Sequence, residues 1–95
     1  MGMVYRMYID DVEVRAKLDA SLVEKIKEKS KGKVRICEVL DEYDILPRDP
    51  NDESCRELAN LVDKAIRRAA ARKLSKTSKR KKVVTLTLTA NDVYF

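Results

Sequence analysis

Two segments of this chain alternate apolar and polar residues, and the best helical pattern of the chain lies between them. Residues 83–89, VVTLTLT, place Val84, Leu86 and Leu88 on one side and three threonines on the other, which predicts a half-exposed strand. Residues 12–18, VEVRAKL, alternate in the same way, although apolar residues four apart there also leave a helix open. In a chain of 95 residues these patterns predict one small two-layer α+β domain, with about three strands and two to three helices.

The strongest helix prediction covers residues 54–74. Ser54 and Glu57 match a capping box, with Asn51 and Asp52 as rival caps just upstream. The helix is expected to bury one apolar face at 3.6-residue spacing, formed by Leu58, Leu61, Val62, Ala65, Ile66 and Ala69.

The other segments are shorter. Residues 19–31 predict a helix, because an aspartate can cap its start and Gly32 stands where a glycine cap would end it. Residues 3–9 are β-branched and aromatic, which favours a strand. Residues 34–43 fit a helix or a strand, and residues 45–53, with two prolines, predict a loop.

Positive charge is concentrated late in the sequence. Residues 1–63 contain eleven Lys/Arg and fifteen Asp/Glu, whereas residues 64–95 contain ten Lys/Arg and one acid, Asp92. All ten cations fall between Lys64 and Lys82, and no acid stands among them. Such asymmetry is typical of chains that bind nucleic acid or another acidic surface.

These cations are predicted to contact the phosphates of nucleic acid. Duplex DNA is favoured, because no aromatic residue that could stack on bases stands among them. Part of the set follows the helical spacing of the long helix, and the rest lies in a basic connector over residues 75–82. The predicted binding residues of this stretch are Lys64, Arg67, Arg68, Arg72, Lys73, Lys76, Lys79, Arg80, Lys81 and Lys82.

No catalytic, cofactor or metal site is predicted. The chain has no histidine and only two glycines, so the commonest general base and the glycine-rich phosphate loops are missing. Cys37 and Cys55 fit core positions better than a disulfide or a zinc site. The acids near Asp41 are expected to be solvated.

Composition also bears on location. The sequence has no apolar run that could span a bilayer and no signal peptide pattern at its start, so a cytoplasmic protein without membrane contact is expected. Glutamine is absent and ionic side chains are abundant, which is typical of proteins from hot environments.

Residues 12–43 resemble a ribbon-helix-helix DNA-binding module. VEVRAKLD resembles the ribbon strand, ASLVEKIKEKSKG the first helix and VRICEVLDEY the second helix. The resemblance implies a homodimer whose paired strands enter the major groove, with Glu13, Arg15 and Lys17 facing the bases. It adds Arg15 and Lys17 to the predicted nucleic-acid-binding residues.

Two alternatives stay open at this point. A β-α-β-α-β sandwich, broadly like the Alba chromatin proteins, also places a basic segment beside a strand, although no Alba motif is present. The expected function is that of a small DNA-binding regulator or accessory factor. The alternative is a protein-interaction adaptor whose basic patch docks on an acidic partner.

Overall fold

The computed structural model describes residues 4–40, 42–75 and 82–95, and these fold into two sheets and two helices. The α+β class is confirmed, but the described residues form five strands where about three were expected. The elements in chain order are β1 (Tyr5–Ile9), β2 (Val12–Leu18), α1 (Ala20–Ser30), β3 (Val34–Val39), β4 (Glu42–Pro47), α2 (Glu53–Leu74) and β5 (Val83–Leu88).

β2 is the middle strand of a three-stranded sheet in the order β1-β2-β5. β1 and β2 form an antiparallel hairpin that turns at Asp10 and Asp11, with Ile9 opposite Val12. Both aspartates have positive φ angles, 47° and 66°, as the favoured two-residue hairpin turn requires. The strand alternative for residues 12–18 is therefore the correct one.

β5 lies on the other side of β2 and runs parallel to it, with Glu13 opposite Val83 and Leu18 opposite Leu88. The backbone N–H of Glu13 donates to the carbonyl of Lys82 at 2.8 Å, and the N–H of Asp19 donates to Leu88 at 2.9 Å. The strand predicted over residues 83–89 is confirmed, ending one residue early.

β3 and β4 form a separate antiparallel hairpin, which the Tyr43 N–H joins to the start of β1 by donating to the Val4 carbonyl at 2.8 Å. The ambiguous residues 34–43 thus lie mainly in strands. The loop predicted over 45–53 is wrong at both ends, because β4 continues to Pro47 and α2 begins at Glu53. Pro47 is tolerated because it is the last residue of its strand.

Both helices match their predicted ranges within one residue. α1 ends where Lys31 and then Gly32 take positive φ angles, 53° and 77°. α2 is capped by Asp52 and not by the predicted Ser54: the Asp52 carboxylate accepts hydrogen bonds from the Ser54 N–H and hydroxyl. These bonds, the hydroxyl's first, lower the pKa of Asp52.

The core lies between the helices and one face of the β1-β2-β5 sheet. It includes Met7, Val14, Leu88 and, from α2, Ile66. Leu61 was predicted to be buried, but 48% of its surface is exposed, because it projects from the flank of the apolar stripe. Of the two free cysteines, Cys55 is buried and Cys37 is half-buried.

The layout differs from the one that the ribbon-helix-helix resemblance implies. β2, the implied ribbon strand, has a neighbour in its own chain on both sides, so neither edge is free for a second copy. The implied second helix, residues 34–43, is replaced by β3 and the start of β4, because its β-branched residues pair in a hairpin whose Val34 and Ile45 are buried. Membership of that family stays a prediction.

Leu88→Ala should lower the free energy of unfolding by about 2–5 kcal/mol, because the Leu88 side chain is fully buried and its truncation leaves a cavity. Leu61→Ala removes the same atoms from a half-exposed position and should change it by less than about 0.5 kcal/mol. Urea unfolding of both variants measures the difference. Equal losses would show that the assignment of the two leucines is wrong.

Candidate nucleic-acid interface

The β1-β2-β5 sheet has one face that no described helix covers, which we call the open face. Alternate residues of the three strands point to it and form three rows across the sheet. The rows, read from the strand registers, are Tyr8-Glu13-Val83, Arg6-Arg15-Thr85, and Lys17-Thr87. Their opposite neighbours, such as Val14, Ala16 and Leu86, are buried against the helices. The open face therefore presents three basic and three hydroxyl-bearing side chains, together with Glu13 and Val83.

Glu13 organises the centre of the open face. Only 15% of its side chain is exposed, and the guanidinium of Arg15 donates to it through Nε and contacts it through a second nitrogen, both at 3.0 Å. Arg6 lies 3.8 Å from the same carboxylate and 3.2 Å from Glu42. The hydroxyl of Tyr8 donates to Glu13 at 3.4 Å. One carboxylate thus positions three side chains from two strands.

Arg15 and Lys17, which the sequence predicted as contacts, both lie exposed on this face. Arg6, Tyr8 and Thr85 join them, and sequence reasoning did not select these three. The period-two alternation of each strand could have identified the outward residues. The order of the strands, which makes them neighbours, could not be read from it.

Lys64 and Arg68 lie on the opposite side of the molecule. They are exposed and project from the side of α2 that faces away from buried Val62, Ile66 and Ala69, as a rotation of about 100° per residue requires. With Glu57 they form what we call the α2 ridge. The charged residues of the ridge therefore cannot touch the same flat ligand as the open face.

Arg67 occupies a flank of α2, near the hairpin of β3 and β4. Its Nε donates to Asp63 at 3.0 Å, and its guanidinium lies 6.0 Å from the centre of the Tyr5 ring. Together with Asp44 and Arg56 it lines a groove of about 460 Å³ between β4 and α2. A carboxylate one helical turn away already compensates its charge.

Arg72 and Lys73 are engaged within the fold. Arg72 donates to the Asp92 carbonyl at 2.7 Å, and Lys73 donates to the Thr87 carbonyl at 2.6 Å and lies 3.0 Å from the Asp92 carboxylate. From α1, Lys25 donates to the carbonyls of Ala90 and Val93. These cations fasten residues 89–95 over the core, where Val93 is fully buried.

The connector cations Lys76, Lys79, Arg80 and Lys81 lie outside the described residues. The residues that flank them are placed: Ser75 lines a depression with Ile9 and Val12, and the Lys82 carbonyl accepts from the Glu13 N–H. Both flanking residues therefore lie near the hairpin end of the sheet, where β5 begins.

No family model, no curated protein and no solved structure matches this chain. In the described part of the chain, no group of three or more acidic, cysteine or histidine residues could hold a metal ion. Neither described helix is both long enough and apolar enough to cross a membrane.

Protonation of Asp92 at low pH should lower the free energy of unfolding. Burial raises the pKa of this carboxyl, but hydrogen bonds from Thr89 and Lys73 more than offset burial, so its pKa lies below the usual 3.8. A carboxyl whose pKa is lowered by folding stabilises the native state at any pH above its pKa in the unfolded chain. This contribution is lost as the pH falls through its pKa in the folded protein. Asp92→Asn should therefore flatten the loss of stability between about pH 5 and pH 2.

Thermal unfolding across this range measures the effect. Asp63→Asn, which removes a half-buried carboxylate on α2 paired with Arg67, serves as the control and should leave most of the acid dependence in place. An Asp92→Asn protein with the wild-type acid profile would contradict the role given to this carboxylate.

Proposed function

We propose that this chain is a small DNA-binding protein, a regulator or accessory factor, that contacts the phosphates of a duplex with its open face. The observation that carries the proposal is the row of Arg6 and Arg15 on a sheet face that no described element covers. Lys17 lies on the same face, one row along. Cations held on rigid strands lose little freedom when they meet a ligand, and each phosphate they neutralise releases counterions.

The open face is a better candidate than the α2 ridge for two reasons. It carries three cations, Arg6, Arg15 and Lys17, around Glu13, whereas the ridge offers two, Lys64 and Arg68, beside Glu57. The exposed Lys82 also stands directly before β5, where its carbonyl accepts from the Glu13 N–H, so a further cation lies at this end of the sheet.

A duplex fits the open face better than a single strand. Tyr8 is the one aromatic side chain that the described strands place on this face, and its hydroxyl is hydrogen-bonded to Glu13. Surfaces that bind single strands generally stack several bases on several aromatic rings.

The carboxylate contacts of Arg6 and Arg15 also suit the alternative function. These arginines already bind Glu13 and Glu42 within the chain, so an acidic protein segment could replace a nucleic acid as their partner. We therefore propose the adaptor as the second candidate function.

Arg15→Gln with Lys17→Gln should weaken binding to a short DNA duplex and reduce the slope of log affinity against log salt by about 2, one for each lost phosphate contact. Lys64→Gln with Arg68→Gln removes the same charge from the α2 ridge and should leave the slope nearly unchanged. Mobility shifts or fluorescence anisotropy from about 50 to 200 mM salt measure the slopes.

The reverse pattern of slopes would assign the interface to the α2 ridge and reject the open face. Single-stranded DNA and RNA of the same length are tested alongside the duplex. Retardation of none of the three by the wild-type protein would reject DNA binding and leave the adaptor as the remaining candidate.

Glu13→Gln should tighten duplex binding about fivefold at low salt, since it removes a negative charge next to two proposed phosphate contacts. The amide oxygen of glutamine can still accept from Arg15, so the guanidinium stays near its place. Glu57→Gln makes the same charge change on the α2 ridge and is the matched control. Equal effects of the two variants on affinity would mean that only net charge matters and that the open face is not the site.

A further inference from the structure

The outer edge of β5 has the features of a pairing strand. In β5 the backbone groups of even-numbered residues point to β2, as the bonds from Glu13 to Lys82 and from Asp19 to Leu88 show. The groups of Val83, Thr85 and Thr87 therefore point away from the sheet. Among the residues that the structure describes, only one of these groups, the Thr87 carbonyl, has a partner, the Lys73 ammonium.

The residues of β5 itself lack the features that usually prevent the edge of a sheet from pairing. Val83–Leu88 contains no charge, no proline and no bulge, and four of its six residues are β-branched. β3, which has β4 as its one neighbour, differs, because it carries Arg35 and Glu38. Of the cations that the structure describes, those next to β5 stand at its ends, Lys82 before the strand and Lys73 beside Thr87.

We propose that β5 pairs in an antiparallel manner with β5 of a second copy, with Thr85 on the two-fold axis. In this register Val83 lies opposite Thr87 of the other copy, so all three outward residues find backbone partners. The Thr87 carbonyl can accept a second hydrogen bond beside the one from Lys73. Lys82 lies opposite Leu88 of the other copy, and Lys73 lies beside Thr87, opposite Val83. Neither lysine therefore faces the same lysine of the other copy.

A second copy suits this edge because the edge is self-complementary. Threonine and valine side chains meet threonines on the open-face side, and Val84 meets Leu86 on the other. Such β-branched pairs across strands stabilise a sheet. The two Arg15 residues would lie three strand spacings apart, about 14 Å. This exceeds the screening length of about 8 Å at physiological salt, so repulsion between the copies is weak.

The pairing joins the two open faces into one. The β1-β2-β5 sheets of the two copies become a single six-stranded sheet. Its open face carries two sets of Arg6, Arg15 and Lys17, which are related by a two-fold axis. A DNA duplex has a two-fold axis of its own between its strands, so a symmetric protein face can contact both strands alike. In its use of the open face this inference rests on the proposed function, but the pairing itself requires no DNA.

The pairing can be tested without any ligand. Sedimentation of the wild-type protein should give twice the chain mass of 10.9 kDa at high concentration. Thr85→Pro should give a monomer with an unchanged circular dichroism spectrum, because the lost N–H points away from β2. A dimeric Thr85→Pro protein, or a wild-type chain that is monomeric at every concentration, would overturn the proposal.

Cross-linking provides a second measurement that does not depend on the proline variant folding. In a Cys37→Ser background, Thr85→Cys should form an intermolecular disulfide rapidly, since Cα atoms opposite each other in a hydrogen-bonded pair are about 5.5 Å apart. Lys17→Cys is the control on the same face. Its copies would lie about 20 Å apart, because Lys17 is in the row of Thr87 and is therefore displaced along the strands as well as across them. This is beyond the Cα separation of about 7 Å that a disulfide can bridge.

Equal rates of cross-linking at the two positions would overturn the pairing. The result is separable from that of the DNA experiments. A monomeric wild-type chain that still retards duplex DNA would end the dimer proposal and leave the proposed function standing. A dimer that binds no DNA would do the opposite.

Discussion

The arrangement of the whole molecule depends on the parallel pairing of β2 with β5. Two parallel neighbours cannot be joined by a tight turn, so the chain between Leu18 and Val83 must cross from one end of the sheet to the other. α1 and α2 lie in that connection and bury their apolar sides against Val14, Leu88 and the other residues of one sheet face. Because both helices lie on one side of the sheet, no described element covers the opposite face, where the outward residues of the strands are exposed.

The local pattern of the sequence predicts the elements well where one physical constraint acts on them. The threonines of residues 83–89 and the charged residues of 12–18 alternate because each strand has one buried and one solvated side. The helix from Glu53 to Leu74 follows from a single apolar stripe. Strand order is different, since nothing in the residues of β5 states that β2 is the neighbour and not β1.

The hairpin of β3 and β4 shows why the other segments were harder. Among its described residues only Val34 and Ile45 are buried, so its alternation is weak, and Val39 and Leu40 are exposed near its turn. Pro47 indicated a loop, yet a proline at the last position of a strand costs little. Tertiary pairing, including the bond from Tyr43 to Val4, decides the structure here and has no local signature.

The positions of the cations in the fold differ from what their positions along the sequence indicate. The concentration of cations between Lys64 and Lys82 is real in the sequence, but the structure gives two of them partners from distant positions, whereas Arg67 pairs with nearby Asp63. Arg72 and Lys73 are used by the turn at Asp92, about twenty residues further along the chain. Arg15, far from that stretch, lies with Arg6 on the open face. The candidate site is thus assembled by the sheet and not by the basic segment alone.

The register of β2 and β5 has a kinetic consequence. Glu13 and Val83 are seventy positions apart in the chain, so closing this pair requires ordering a long loop before any of its hydrogen bonds can form. The hairpin of β1 and β2 and the helix α2 involve only local contacts. Folding rates fall as the separation of contacting residues grows, so β5 should join the sheet late, as the step that limits the rate at which the native protein appears.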